Sequence, residues 1–402
     1  METSRSPGLP ALRRERVLAE MAASGLETVV LSTPESVHYA TGHRSLTATL
    51  HRGPAVAAVV TAARTVLVVP AGEAAAAEEA LGGTGDLVTY GEFYFAHADG
   101  SVTSGDYPDL PSALGAVLPK TPAQKPAQKP AQKSAQKSAL KPVRKPAVEW
   151  GGLTRPPAAL DGAPAADEWI RTVRAVKLPG EQELLRKAAR LAEDAIAAAL
   201  DQAAAGVTER ELAAVIAGAM AAGGGEPGFV VVTSGERSAL SDAYPADRAC
   251  RPGDLVRFDV GCRYQGYWSD VARTAVVGPP DERRRRFYEA LAAGQEAEFV
   301  MAKPGVRACD VFAAAVRAVE AHGGPRPYRR RHVGHAIGLS VYETPVIEPA
   351  DETVLRPGMV FSLETPYYEL GWGGMMAEDA GVVTEHGFEL FTRTDRGLRV
   401  IP

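Results

Sequence analysis

Residues 255–277 read LVRFDVGCRYQGYWSDVARTAVV, two β-rich runs flanking Tyr264-Gln265-Gly266, which is the pattern of a β-hairpin. Position numbers in a symmetric hairpin sum to a constant, and pairing Asp259 with Asp270 puts the turn centre between Tyr264 and Gln265. That register sets both carboxylates on one face with Cβ atoms roughly 4.5–5.5 Å apart. Two bare carboxylates so close repel each other unless they share a proton or hold a cation. The hairpin therefore constrains both the fold and its chemistry.

Three later segments add to the pair. RHVGHAIGL supplies His335 between glycines, GMVFSLETP places Glu364 at the end of an apolar strand, and GGMMAEDAGVV places Glu378 at the start of another. Asp259, Asp270, His335, Glu364 and Glu378 are hard oxygen donors with one imidazole, a set suited to Mn(II), Fe(II), Co(II) or Zn(II).

A chain of 402 residues is too long for one core and is expected to form two domains. Before residue 119 helix and strand alternate: a helix over 12–23, a strand over 28–32, a turn at Thr33-Pro34, and β-rich runs at 55–60 and 65–69. This is a small α/β domain, taken as 1–118. Residues 119–147 follow as a low-complexity insert repeating Pro/Ser-Ala-Gln-Lys. Between 120 and 145 it carries seven lysines and one arginine with no acid, so the net charge of −5 conceals −13 elsewhere. With almost nothing to bury, it is expected to be a disordered, solvated linker. It lacks the aromatic interleaving of a nucleic-acid arm. Residues 148–176 are expected to connect to a catalytic domain spanning 177–402. That domain opens with a helical stripe at 184/185, 188, 191/192, 195 and 199, then a helix capped by Thr208 and Glu211 and ended by glycines 223–225. From Phe229 strands dominate, broken by helices near 281–302 and 308–322, an α+β pattern.

No apolar run approaches the roughly 20 residues of a membrane helix, and the first residues show no apolar signal core, so a cytoplasmic protein with no membrane contact is expected. Cys250, Cys262 and Cys309 are unpatterned and are read as reduced.

The five residues in this order, with SDVART at 269–274, GHAIGL at 334–339, PGMVFSLE at 357–364 and Glu378-Asp379, resemble the pita-bread metallopeptidase superfamily, in its aminopeptidase P, prolidase and creatinase branch. The resemblance covers about 180–402 strongly; VHYATG at 37–42 extends it weakly to the first domain. It implies a creatinase-like α/β N-terminal domain joined to an α+β pita-bread catalytic domain. It also implies two divalent metal ions, manganese foremost. Asp259 would hold one metal, His335 and Glu364 the other, and Asp270 and Glu378 would bridge both. A bridging hydroxide would attack an amide-like carbon, with Glu364 taking the water's proton and Thr274 as support. A homodimer is implied, in which His43 and Arg44 reach a neighbouring site.

Several positions depart from that pattern. Asp242 and Tyr342 stand where proline-specific members carry histidines, Arg331 stands at a third, with His332 beside it able to shift in, and Met376 replaces a usual arginine. Tyrosine is a poor proton shuttle at neutral pH, while Asp242 suits a cationic substrate group and Arg331 an anionic one. The expected function is a dinuclear hydrolase acting on a C–N bond in a dipeptide or small amino-acid-derived substrate, with a non-standard specificity. The alternatives are a metal-dependent lyase on a small carboxylate, an ordinary Xaa-Pro peptidase, and a non-catalytic binding protein.

Overall fold

The computed structural model describes residues 8–51, 56–93, 95–96, 102–119 and 145–402. These form two compact units, Met1–Val173 and Arg174–Pro402. Residues 120–144 of the basic insert lie outside the described residues. Among the described residues no helix is long and apolar enough to cross a membrane.

The first unit is built on a five-stranded sheet in the order Asp86–Tyr90, Thr65–Pro70, Ala57–Thr61, Thr28–Leu31, Ala147–Val148. The runs TVVL, AAVV and TVLVV are buried nearly throughout, as strands covered on both faces must be. Ala147–Val148 pairs in parallel with Val29–Val30, so residues 148–173, read from the sequence as a connection, pack with this unit. That pairing brings Glu149 under Thr33. Its carboxylate accepts from the backbone N–H of Ser32 and Thr33 and from the hydroxyls of Thr33 and Ser36. Thr33-Pro34 is consequently not a turn but the N-cap and first residue of the helix Pro34–Thr41, which carries most of the VHYATG segment. Threonine at the cap, proline at the first position and Glu35 in the first turn all favour that start.

In the second unit the helix Pro179–Leu200 packs against Glu209–Ala222, whose first turn is closed by reciprocal Thr208 and Glu211 bonds. The main sheet runs in the order Tyr267–Trp268, Leu255–Tyr264, Val271–Val277, Glu378–Val383, Val360–Glu364, Gly334–Ala336, Glu343–Val346, with Glu226–Ser234 also on Leu255–Tyr264. Helices Glu282–Met301 and Ala308–Ala321 pack on each other.

The hairpin register differs from the expected one. Tyr264 pairs with Tyr267 and Asp259 with Ala272, which centres the turn on Gln265-Gly266. Both turn residues have positive φ, 50° and 89°, the conformation that closes a two-residue hairpin with the twist of its strands. Asp259 therefore does not face Asp270 directly. It lies diagonally from it on the same face, because a shift of two residues preserves strand alternation.

Candidate metal centre

The ladders bring four strands into one row. Ala272 pairs with Asp259 on one side and Glu378 on the other, and Glu378 pairs with Glu364. Asp259, Glu378 and Glu364 thus point to one face of the sheet. Two residues along the same face, Asp270 precedes strand Val271–Val277 and His335 pairs with Ser362. Ser362 is small enough to leave that row open, and its hydroxyl donates to the Asp270 carbonyl at 3.1 Å. Asp270, His335 and Glu378 each offer a ligand atom within 4.8 Å of the others. His335 Nε2 lies 3.6 Å from Asp270 Oδ2.

Asp270, His335, Glu364 and Glu378 are all buried. Burial and mutual repulsion make this cluster unstable as bare anions. Burial pushes Asp259 up to about 7, with Arg257 pulling against Asp270 and Glu364. Burial likewise raises Asp270, outweighing its contact with His335, and holds Glu378 well above the usual carboxylate range together with Asp270, Glu364 and Asp259. Glu364 is the exception: burial pushes it up, but His332, Arg330 and His335 hold it below its ordinary value. Asp270 Oδ1, His335 Nε2 and Glu378 Oε2 are buried without a hydrogen-bond partner. Orphaned donor atoms on a converging set of oxygens and one imidazole fit a divalent cation, which would satisfy them and relieve the repulsion.

Asp259, Asp270, Glu364 and Glu378 open onto a cavity of about 570 Å³, with His335 buried behind them. It is lined by the four acids together with Ser241, Asp242, Arg330, His332, Tyr342, Tyr368, Met376 and the apolar Phe229, Val231 and Val341. His332 Nδ1 lies 3.0 Å from Glu364 Oε1, and the Tyr342 ring lies 4.0 Å from the His335 ring, centroid to centroid. Asp242 is exposed at the cavity wall, with the Ser241 hydroxyl donating to its carboxylate at 2.9 Å.

Other expected residues lie elsewhere. Arg331 is exposed and does not line the cavity; Arg330 does, with Nη2 3.9 Å from Glu364 Oε2. The chain bends at Arg331, which leaves 330 and 332 at the cavity and 331 in solvent. In the first unit His43 is buried against Glu73 at 2.9 Å and does not project, whereas Arg44 is exposed. Thr274 supports the centre through the backbone, donating to the Met376 carbonyl and accepting from its N–H, both at 2.8 Å.

Sequence reasoning missed Arg257, which is wholly buried and donates to Asp259 Oδ2 at 2.7 Å. It also missed Glu298, buried on helix Glu282–Met301 with both carboxylate oxygens unpartnered and its acidity weakened by burial and by Glu364. The signal for Arg257 was available: it stands two residues before Asp259 and so on the same face of the strand.

A creatinase-type α/β unit and a pita-bread unit with a buried carboxylate and imidazole centre define a metallopeptidase-superfamily protein of the creatinase and prolidase branch. Residues 183–385 match metallopeptidase family M24, and residues 13–125 match the creatinase/prolidase N-terminal domain. The chain belongs to metallopeptidase family M24. It is 38% identical over 234 residues to an Xaa-Pro dipeptidase of Pyrococcus horikoshii, covering 58% of this chain and 66% of that one. It is 39% identical over 239 residues to a probable dipeptidase PepE of Mycobacterium tuberculosis, covering 59% and 64%. The matched stretch thus spans roughly two thirds of these relatives' length. Among solved structures, the dipeptidase PepE of Mycobacterium ulcerans superposes with a TM-score of 0.75 at 28% identity, covering 98% of each chain. The prolidase of Pyrococcus furiosus gives 0.71 at 28% identity, covering 94% of this chain and 99% of that one.

Proposed function

We propose that this protein is a two-metal hydrolase that cleaves the amide bond of a dipeptide with free ends. The observation that carries the reading is the convergence of Asp259, Asp270, His335, Glu364 and Glu378 on one sheet face, the four acids lining a cavity that also holds an arginine and a further aspartate. Asp259 would hold one cation, His335 and Glu364 the other, and Asp270 and Glu378 would serve both; Mn(II) heads the ions that this donor set suits. When bound, two such cations supply an activated water and polarise the substrate carbonyl.

The chain's own residues supply the rest. Glu364, which faces the cavity and which His332 and Arg330 hold below its ordinary value, is assigned the role of taking up the water's proton. His332, at 3.0 Å, is placed to relay it toward the leaving amine. No histidine stands at 242 or 342, so His332 carries that task alone on its side of the cavity. Arg330 offers a guanidinium to the substrate carboxylate, and Asp242 offers an anion to its amine. Phe229, Val231 and Val341 provide an apolar wall for the side chains. A cavity of about 570 Å³ accommodates a dipeptide. The dipeptidase names of the relatives support the same substrate class. A homodimer belongs to this reading, and light scattering tests it.

The direct test incubates chelator-stripped protein with and without Mn(II) against a dipeptide panel that includes Xaa-Pro members and amidated counterparts. Metal-dependent release of free amino acids from the unblocked dipeptides supports the proposal; release only from blocked or longer peptides, or none, overturns it.

A further inference from the structure

Residues 257, 274 and 376 form a second row beside the acids. Arg257 pairs with Thr274, and the Thr274 side chain closes on the backbone of Met376. Each of the three lies two residues from the row Asp259, Ala272 and Glu378, so Arg257 and Met376 flank Thr274 on the face that carries the metal donors. In the family pattern an arginine is usual at 376, and here that position is a buried methionine.

Arg257 fills the gap from the far side of Thr274. A guanidinium has five N–H donors, and each meets an acceptor here. Nη1 donates to Asp259 Oδ2 at 2.7 Å and approaches the Met376 sulfur at 4.0 Å. Nη2 donates to the carbonyls of Leu240 and Ser241 at 2.7 and 2.6 Å, and Nε to that of Ser238 at 3.2 Å. The head lies 5.3 Å from the Tyr368 ring centroid. One side chain thereby ties a metal donor to residues 238–241, and Ser241 and Asp242 form part of the cavity wall. The bond to Oδ2 orients the Asp259 carboxylate and leaves Oδ1 clear of Arg257.

We propose that Arg257 is the positioning residue of this centre. It fixes the Asp259 oxygen offered to a cation and pins the 238–241 wall, doing from strand Leu255–Tyr264 what residue 376 cannot. The substitution at Met376 is on this view a relocation of the guanidinium across a three-strand row and not its loss. The metal half of the inference rests on the proposed function; the wall half does not.

The experiment uses the full chain, stripped of metal, as wild type, Arg257→Lys, Arg257→Met and Arg257→Met with Met376→Arg. Mn(II) affinity is read by calorimetry, backbone exchange of 238–242 by hydrogen–deuterium mass spectrometry, and folding by thermal melts. Arg257→Lys keeps the buried charge but cannot bridge five acceptors, so it is expected to fold, to bind Mn(II) about 10–100-fold more weakly, the usual cost of losing a partner of a metal ligand, and to exchange faster at 238–242. Arg257→Met is expected to show the same loss, and adding Met376→Arg to recover most of the affinity. Wild-type affinity and wild-type exchange in Arg257→Lys would overturn the inference. So would losses that only track a fall in melting temperature and that Met376→Arg does not rescue. If the wild type binds no Mn(II), the proposed function fails, and the exchange of 238–242 in Arg257→Lys still decides the wall half.

Discussion

His332 Nδ1 stands 3.0 Å from Glu364 Oε1, setting a cavity-facing imidazole against a carboxylate of the proposed metal donor set. With aspartate at 242 and tyrosine at 342, His332 is the sole histidine lining the cavity among the described residues. His332→Gln is expected to lower kcat by roughly 10²–10⁴, the range for losing a general acid or base, with KM and metal content near wild type. Unchanged kcat would remove His332 from the mechanism and return proton transfer to Tyr342 or solvent.

Arg330 and Arg331 make a paired test of substrate recognition, since the first lines the cavity and the second is exposed. Arg330→Met is expected to raise KM for free dipeptides by about 10–100-fold, as for a charged hydrogen bond of about 1.5–3 kcal/mol. Dipeptide amides, which lack the carboxylate, should show a much smaller change, and Arg331→Met should alter neither. Equal effects of Arg330→Met on acids and amides would show that it serves the metal donors and not the substrate.

Behind His335 the chain is braced by Glu343, which is buried between Arg174 and Lys177 and accepts the N–H of Leu339 at 3.1 Å. Burial alone would raise this carboxylate, but the two cations hold it down to about 2 from 4.5. A depressed carboxylate contributes stability that is complete above its unfolded value and drains as pH falls through the folded one. The shift corresponds to about 3 kcal/mol. Glu343→Gln should therefore unfold more readily than wild type near neutrality by that order, and the gap should close between about pH 4.5 and 2. Denaturant titrations at several pH values measure it; a gap independent of pH would contradict the ion-pair account.

What the sequence disclosed and what it withheld have physical causes. Acids at the ends of apolar runs, such as Glu364 after VFSL, stood out because an acid rarely ends a buried strand without a partner. Strand alternation put Asp259 and Asp270 on one face, but their register depended on the turn. Gln265-Gly266 adopts positive φ at both positions, moving the pairing by two residues. Thr33-Pro34 looked like a turn because Glu149, which helps anchor the helix start, comes 116 residues later. Arg257 was passed over, although its spacing puts it on the face of Asp259, because a lone arginine in a β-run ordinarily faces solvent. Only the register across three strands shows it beside Met376. Arg331 was named from its spacing of four residues before His335, and the bend at 331 that turns it outward leaves no mark in that spacing.

The central claim is that five residues hold two divalent cations, and counting metal tests it most directly. Chelator-stripped protein dialysed against Mn(II) and analysed by elemental mass spectrometry should bind two ions per chain. Asp270→Ala, which on the proposed reading removes a donor to both ions, should bind fewer than one and lose activity with them. Two ions in the wild type with loss in the variant is the predicted result. A wild type that holds no ion, or an Asp270→Ala variant that still holds two, would contradict it.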